Sequence, residues 1–199
     1  VNLLTDELPD SVEIDGKEYL LNTDFRNCLN IMLAYGDANL TDDEKYQIML
    51  VNLYPVIPDN IEAAIEKALM FLDEGKKPSG KGDSKPRVYS WSKDANMIYS
   101  AFKQTHNIDL TVEKMHWWKF VALFMDLGAN TAFSSIVNLR SRVKSNKATK
   151  EEKAAAHELG DLFEIDEQQE DIMSDEDIEK RNTFMSQLRG SHVRQRNNE

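Results

Sequence analysis

Residues 117–127 read Trp-Trp-Lys-Phe-Val-Ala-Leu-Phe-Met-Asp-Leu, and this run constrains the chain more than any other stretch. Trp117, Phe120, Phe124 and Leu127 follow a 3-4-3 spacing, while Trp118, Val121, Ala122 and Met125 fill a second side. A helix predicted over 112–127 keeps only a narrow polar face, at Glu113, Lys119 and Asp126. Helices that are apolar nearly all round are central to a core or shared with a partner. Trp117, Trp118, Phe120 and Phe124 are therefore the candidate core or partner-binding residues, and the other elements have to be arranged around them.

Those elements are mostly helical. Val12 and Ile14 alternate with polar neighbours, Asp15-Gly16 is a tight-turn pair, and Tyr19, Leu20 and Leu21 resume a strand, which predicts a hairpin over 12–21. A helix from Thr23 to Gly36 places Phe25, Cys28, Leu29 and Met32 on one face. Thr41 with Glu44 makes a capping box for a helix carrying Ile48, Val51 and Leu53. Pro58-Asp59-Asn60 opens a third helix, with Ile61, Ala64, Ile65, Ala68, Leu69 and Leu72 on one stripe and Gly75 as its stop. Residues 75–87 contain no apolar side chain and carry a net +4, the composition of a flexible basic loop. Beyond it, 88–91 is expected to be extended. A helix with Ala95, Ile98, Ala101 and Phe102 follows and ends at Asn107. Another carries Phe133, Ile136, Val137, Leu139 and Val143.

After about residue 145 the core signal fades. Thr149 with Glu152 forms a second capping box, 164–173 reads as an acidic linker, and Ser174 with Asp177 caps a short helix bearing Ile178, Phe184, Met185 and Leu188. The expected class is mainly α: one helical domain over 1–145 with an N-terminal β-hairpin, and a charged helical or disordered extension over 146–199. With 199 residues the chain is long enough for a substantial core. Deleting 151–199 is expected to leave the helical fold intact.

The formal charge of −11 is uneven. Residues 151–180 hold 13 acids and two bases, residues 1–150 sum to −3, and residues 181–199 sum to +3. A basic run without acids, Arg140, Arg142, Lys144, Lys147 and Lys150, precedes the acidic block. Such blocks are usually solvated or serve as interaction tails, and Asp166, Glu167, Glu170 and Asp171 are candidate tail contacts. The acidic balance argues against a nucleic-acid binder, and the basic loop lacks an aromatic residue for base stacking. No apolar run reaches the roughly 18 residues of a membrane span, and the first residues lack the basic start and apolar stretch of a signal peptide. Val1 fits removal of an initiator Met, and a cytosolic protein is expected.

Catalytic constellations are not found in the sequence. Cys28 is the single cysteine, and His106, His116, His157 and His192 are too widely spaced for a paired ligand motif. The glycines at 75, 80 and 82 lack the context of a phosphate loop. His116 beside Trp117-Trp118 reads more readily as a packed histidine than as a base or ligand, and Cys28, inside an apolar stripe, as a buried small hydrophobe. The acids Asp42 to Glu44 complement a helix macrodipole. No cofactor or metal is expected, and the chain is expected not to be an enzyme. The methionines, eight in all, suit a core or a surface that repacks on its partners.

Four stretches in order carry a resemblance. They are Val12 to Tyr19 followed by Thr23-Asp24-Phe25-Arg26; Asp94 to Phe102; Ile108-Asp109-Leu110 with Met115-His116-Trp117-Trp118, Phe120, Leu123 and Leu127; and Ile136 with Leu139-Arg140. Together they resemble a family of phage and prophage proteins encoded in the tail gene cluster of long, non-contractile-tailed phages of Gram-positive bacteria. The resemblance covers about residues 10–145. It implies a tail assembly chaperone, made in the host cytoplasm, that holds the tape-measure protein soluble until tail-tube subunits polymerise around it. The implied partners are the tape-measure protein and the major tail tube protein, with self-association or several copies per client. The composition change after 145 is compatible with a core plus a frameshift extension of the kind such gene clusters encode. A virion role, as a tail-completion or connector component, is the alternative.

Overall fold

The structure, a computed structural model, describes residues 2–75 and 87–165. Asp15 and Gly16 both adopt positive φ, 53° and 74°, the geometry that lets a two-residue turn follow the twist of its strands. The turn joins β1 (Ser11–Ile14) to β2 (Lys17–Leu20) as an antiparallel pair, with Ser11 opposite Leu20 and Ile14 opposite Lys17. Ile14 and Tyr19 face the core.

Helices make up the rest: α1 (Phe25–Tyr35), α2 (Asp42–Leu53), α3 (Ile61–Leu72), α4 (Ala95–His106), α5 (Trp117–Met125), α6 (Ala132–Lys144) and α7 (Lys150–Leu159), followed by a 3-10 turn at Gly160–Leu162. The class is the one expected, mainly helical with a short N-terminal hairpin. Both capping boxes form. Glu44 accepts from the Thr41 backbone N–H at 2.8 Å, and Glu152 accepts from that of Thr149 at 2.7 Å. These bonds to the ionised form hold both carboxyls below their ordinary range. Asn107, in the left-handed conformation, ends α4. Most of the 75–87 loop, the 164–173 linker and the 174–188 helix lie outside the described residues.

The structure corrects the expected faces of two helices. In α2 the buried apolar positions are Tyr46, Met49, Leu50 and Leu53, the true i, i+3, i+4, i+7 stripe, and Val51 is 64% exposed. The apolar helix begins at Trp117 rather than near 112. The Asp109 carboxylate accepts from the Thr111 hydroxyl at 2.6 Å and its backbone N–H at 3.0 Å, and this local turn diverts the chain before the helix starts. Met125, placed on the second apolar side, points outward, as does Val112.

α5 joins the two halves of the molecule. The hairpin and α1 to α3 pack together on one side, α4, α6 and α7 pack together on the other, and α5 contacts both α1 and α4. Phe120 of α5, fully buried, stacks between Phe25 of α1 and Phe102 of α4, at centroid distances of 4.7 and 5.0 Å and interplanar angles of 6° and 8°. Each such pair contributes roughly 0.5–1.5 kcal/mol beyond its buried area.

Arg140 corrects a second expectation. It belongs by sequence to the solvated basic block, yet it is completely buried. Its guanidinium holds Asp94 through two bonds of 2.6 and 3.1 Å, and also donates to the carbonyls of Val88 (3.3 Å), Leu162 (2.6 Å) and Phe163 (2.8 Å). Asp94, equally buried, also accepts from the Ser90 backbone N–H. The polypeptide past 145 is therefore tied to α6 through the Leu162 and Phe163 carbonyls, which take two of the donors that Asp94 does not. Truncation after residue 165 should leave a cooperative unfolding transition close to that of the whole chain. Truncation after 150 should lower stability by about 2 kcal/mol or more, since buried donors then lose their acceptors. Asp94→Asn should cost about 3 kcal/mol, the scale for breaking a buried pair. Urea denaturation followed by circular dichroism measures all three.

Candidate functional site

The first turn of a helix has backbone N–H groups without intrahelical partners. α1 and α5 solve this for each other. Asp24, the N-cap of α1, and His116, the N-cap of α5, lie side by side in an antiparallel bridge. Phe25 N–H donates to Met115 C=O at 2.9 Å, and Trp117 N–H donates to Thr23 C=O at 2.7 Å. The side chains continue the pattern. The Asp24 carboxylate accepts from the backbone N–H of Arg26 at 3.0 Å. The Arg26 guanidinium pairs with Asp24 and reaches the carbonyls of Leu110 and Glu113 at 2.7 and 2.8 Å. The Thr23–Arg26 and Met115–Trp118 stretches, nearly ninety residues apart, thus form one junction.

His116 acts here as a neutral cap. Its Nδ1 accepts from the Trp118 backbone N–H at 3.1 Å, so Nε2 carries the proton and donates to Pro9 C=O at 3.0 Å. Burial first, and then the nearby Lys119, lower its basicity, against the opposing pull of Pro9 C=O and Asp10. Protonation at Nδ1 would remove the acceptor that the cap needs. The ring also packs edge-on against Phe71 and Trp118.

The two tryptophans close the far end of α3. Trp117 Nε1 donates to Leu72 C=O at 2.9 Å, a carbonyl beyond the intrahelical ladder, and Trp118 Nε1 donates to Phe71 C=O at 2.7 Å, which also accepts from the Glu74 backbone N–H at 3.1 Å. Gly75, at φ 76°, completes the turn under the Trp118 ring, where a Cβ would sit 3.6 Å from the ring edge on a backbone that L residues seldom adopt. The structure therefore brings Trp117, Trp118, Phe120 and Phe124 together as core residues, each 8% exposed or less. Asp166, Glu167, Glu170 and Asp171 lie outside the described residues. Cys28 is fully buried, and burial pushes its thiol far up from the ordinary range. Among the described residues no group of three or more His, Cys, Asp or Glu side chains could hold a metal ion. No helix among them is long and apolar enough to cross a membrane.

What the sequence reading missed is the outward surface. Val51, Val56, Ile57 and Ile61 are 64, 69, 42 and 37% exposed, all within eleven residues at the α2–α3 connection. The connection is fixed from beneath, because Tyr54 is buried with its hydroxyl donating to Ala64 C=O at 2.8 Å, and Pro58 is fully buried. The helical stripe of α2, counted from Tyr46, would have turned Val51 outward. The exposure of Val56 and Ile57 had no comparable signal.

The folded-state basicity of His116 lies below the ordinary histidine value of about 6.5, so the unfolded chain binds the extra proton first as pH falls. This histidine's contribution is complete above pH 6.5 and declines below it. His116→Asn keeps a capping oxygen and should flatten the loss of melting temperature between pH 7 and 5 relative to the parent chain. Trp118→Phe should cost roughly 0.5–1.5 kcal/mol at any pH in that range, by removing one of the two hydrogen bonds that the Phe71 carbonyl accepts.

No curated protein and no solved structure matches the chain. A family model described as Bacteriophage Gp15 protein matches residues 4–165, most of the chain, and the protein belongs to that bacteriophage family.

Proposed function

We propose that this phage protein is a non-enzymatic tail assembly chaperone that binds the tape-measure protein in the host cytoplasm and keeps it soluble until tail-tube subunits enclose it. Membership of a bacteriophage family supports the reading, as does the resemblance of its ordered core residues to proteins encoded beside the tape-measure gene of long-tailed phages. The observation that carries it is the display of apolar side chains outside a core whose own polar groups are satisfied. Met125 is 78% exposed and Val56 69% exposed, whereas Trp117, Trp118, Phe120 and Phe124 are enclosed. Among the described residues no buried side-chain polar atom lacks a hydrogen-bond partner. The client would meet the outward residues, with its apolar helix faces laid against them. The acidic block that includes Asp166, Glu167, Glu170 and Asp171 would surround the complex with like charge and oppose aggregation.

Co-expression tests this directly. The soluble fraction of the tape-measure protein should rise several-fold with this chain and less with Met125→Ser and Val56→Ser together. An equally insoluble client with and without the chain overturns the reading. Mass spectrometry of purified virions should find at most traces of the protein. Abundant peptides would replace the chaperone by a tail-completion or connector component.

A further inference from the structure

The near-neutral sum over residues 1–150 hides a polarity within the fold. Residues 1–75 carry 16 acids and four bases, a net −12. Residues 87–150 carry four acids and 10 bases, a net +6, while residues 151–165, packed on the same side, add five acids and one base and bring that half to +2, so its positive charge is concentrated ahead of α7. The first group builds the hairpin and α1 to α3, and the second builds α4 to α6 and the turn into α7. α6 and α7 pack chiefly on α4 and on each other, so the basic turn does not neutralise the acidic side of its own molecule.

The apolar α2–α3 connection lies within the acidic half. Asp59 and Glu66 are exposed on or beside it. The hairpin turn is held against it by Asn60 Nδ2, which donates to the Asp15 carboxylate at 2.9 Å. Buried Tyr54 and Pro58 fix the connection, so little ordering is lost when a partner docks. In the other half, Lys147 and Lys150 are exposed at the α6–α7 turn, and no ion pair is seen for either among the described residues, whereas Arg142 is already engaged by Glu152 at 2.7 Å. Lysine suits such a contact: its aliphatic stem covers valine and isoleucine while its ammonium reaches a carboxylate.

We propose that the acid-rimmed apolar α2–α3 connection of one molecule receives the basic α6–α7 turn of a second copy, so that copies join head to tail. Two different surfaces meet, which makes the contact heterologous. It leaves one free surface of each kind on every dimer and extends into a ring or a chain. The inference rests on the charge distribution and the exposed apolar residues; it shares Val56 with the client surface of the proposed function, and its test is read on the chain without client, so the two readings fail separately.

Charge reversal in full-length chains, read by sedimentation velocity, tests it. The parent chain should associate increasingly with concentration, at least about tenfold more weakly when salt screens the contact. Asp59→Lys with Glu66→Lys, and separately Lys147→Glu with Lys150→Glu, should each abolish association while melting as the parent does. Mixed in equal amounts, the two variants retain one intact surface apiece and should form a dimer that grows no further. A parent chain that stays monomeric up to its solubility limit overturns the proposal. So does either variant associating like the parent, or a mixture that forms no complex. Val56→Ser with Ile57→Ser tests the apolar part without altering charge. Unchanged association in that variant overturns the role given to the α2–α3 connection.

Discussion

Two helices of this protein start at one place, and each gives its first backbone N–H to the strand entering the other. Everything around α5 follows from that exchange. It fixes the origin of α5 at His116 and thereby the direction in which Trp117 and Trp118 leave the backbone. From there the two indoles reach the last carbonyls of α3, and Phe120, one turn on, falls between Phe25 and Phe102. A helix so apolar has little intrinsic preference for one orientation in a core, because hydrophobic burial is non-directional. The polar bonds at its N-terminus and along its indole N–H groups supply the direction.

Arg140 repeats this logic at the other end. A buried guanidinium has five donors and no acceptor, so its neighbours must bring oxygens to it. They arrive from Asp94 at the start of α4, from Val88 ahead of it, and from Leu162 and Phe163 beyond α7. The ion pair itself adds little net stability once desolvation is counted. Its consequence is specificity of arrangement: three separate segments have one position in which the charge is satisfied. The match of the family to residues 4–165 ends two residues past Phe163.

Local chemistry was legible in the sequence. The Asp15-Gly16 turn, both capping boxes and the Asn107 stop each depend on a few adjacent residues, and each forms. Periodicity located the helices but misassigned a face of α2, where Ile48 and Val51 outscored Tyr46 and Met49 on apolarity alone. The start of α5 was obscured because the Thr111 turn and the exchange with Thr23 suppress a helical pattern that apolar spacing continues to suggest. Arg140 read as one charge among five in a basic run, although it sits four residues after Ile136 and seven after Phe133, on the buried stripe of α6. Its partner lies 46 residues away, and no local pattern encodes such a pairing. His116 was correctly set among packed residues, but its use of both ring nitrogens on backbone groups depends on Pro9, 107 residues earlier in the chain.

A protein whose buried polar groups are matched this thoroughly has no need of Val56 or Ile57 for its own stability. Burying each would have contributed about 1.5–3 kcal/mol, and the fold leaves them outside on a connection that Tyr54 and Pro58 hold rigid. Single exposed apolar residues are ordinary on any surface, but a group within eleven residues, on a fixed loop in the acidic half of a polarised molecule, is a localised feature. The same reasoning narrows the meaning of the net charge. A value of −11 describes repulsion between distant molecules, which keeps the protein dispersed. At separations near the Debye length of about 8 Å, neighbouring molecules sense local charge, and one copy presents lysines where another presents carboxylates. Repulsion at long range and attraction at one matched contact favour orderly association over indiscriminate aggregation.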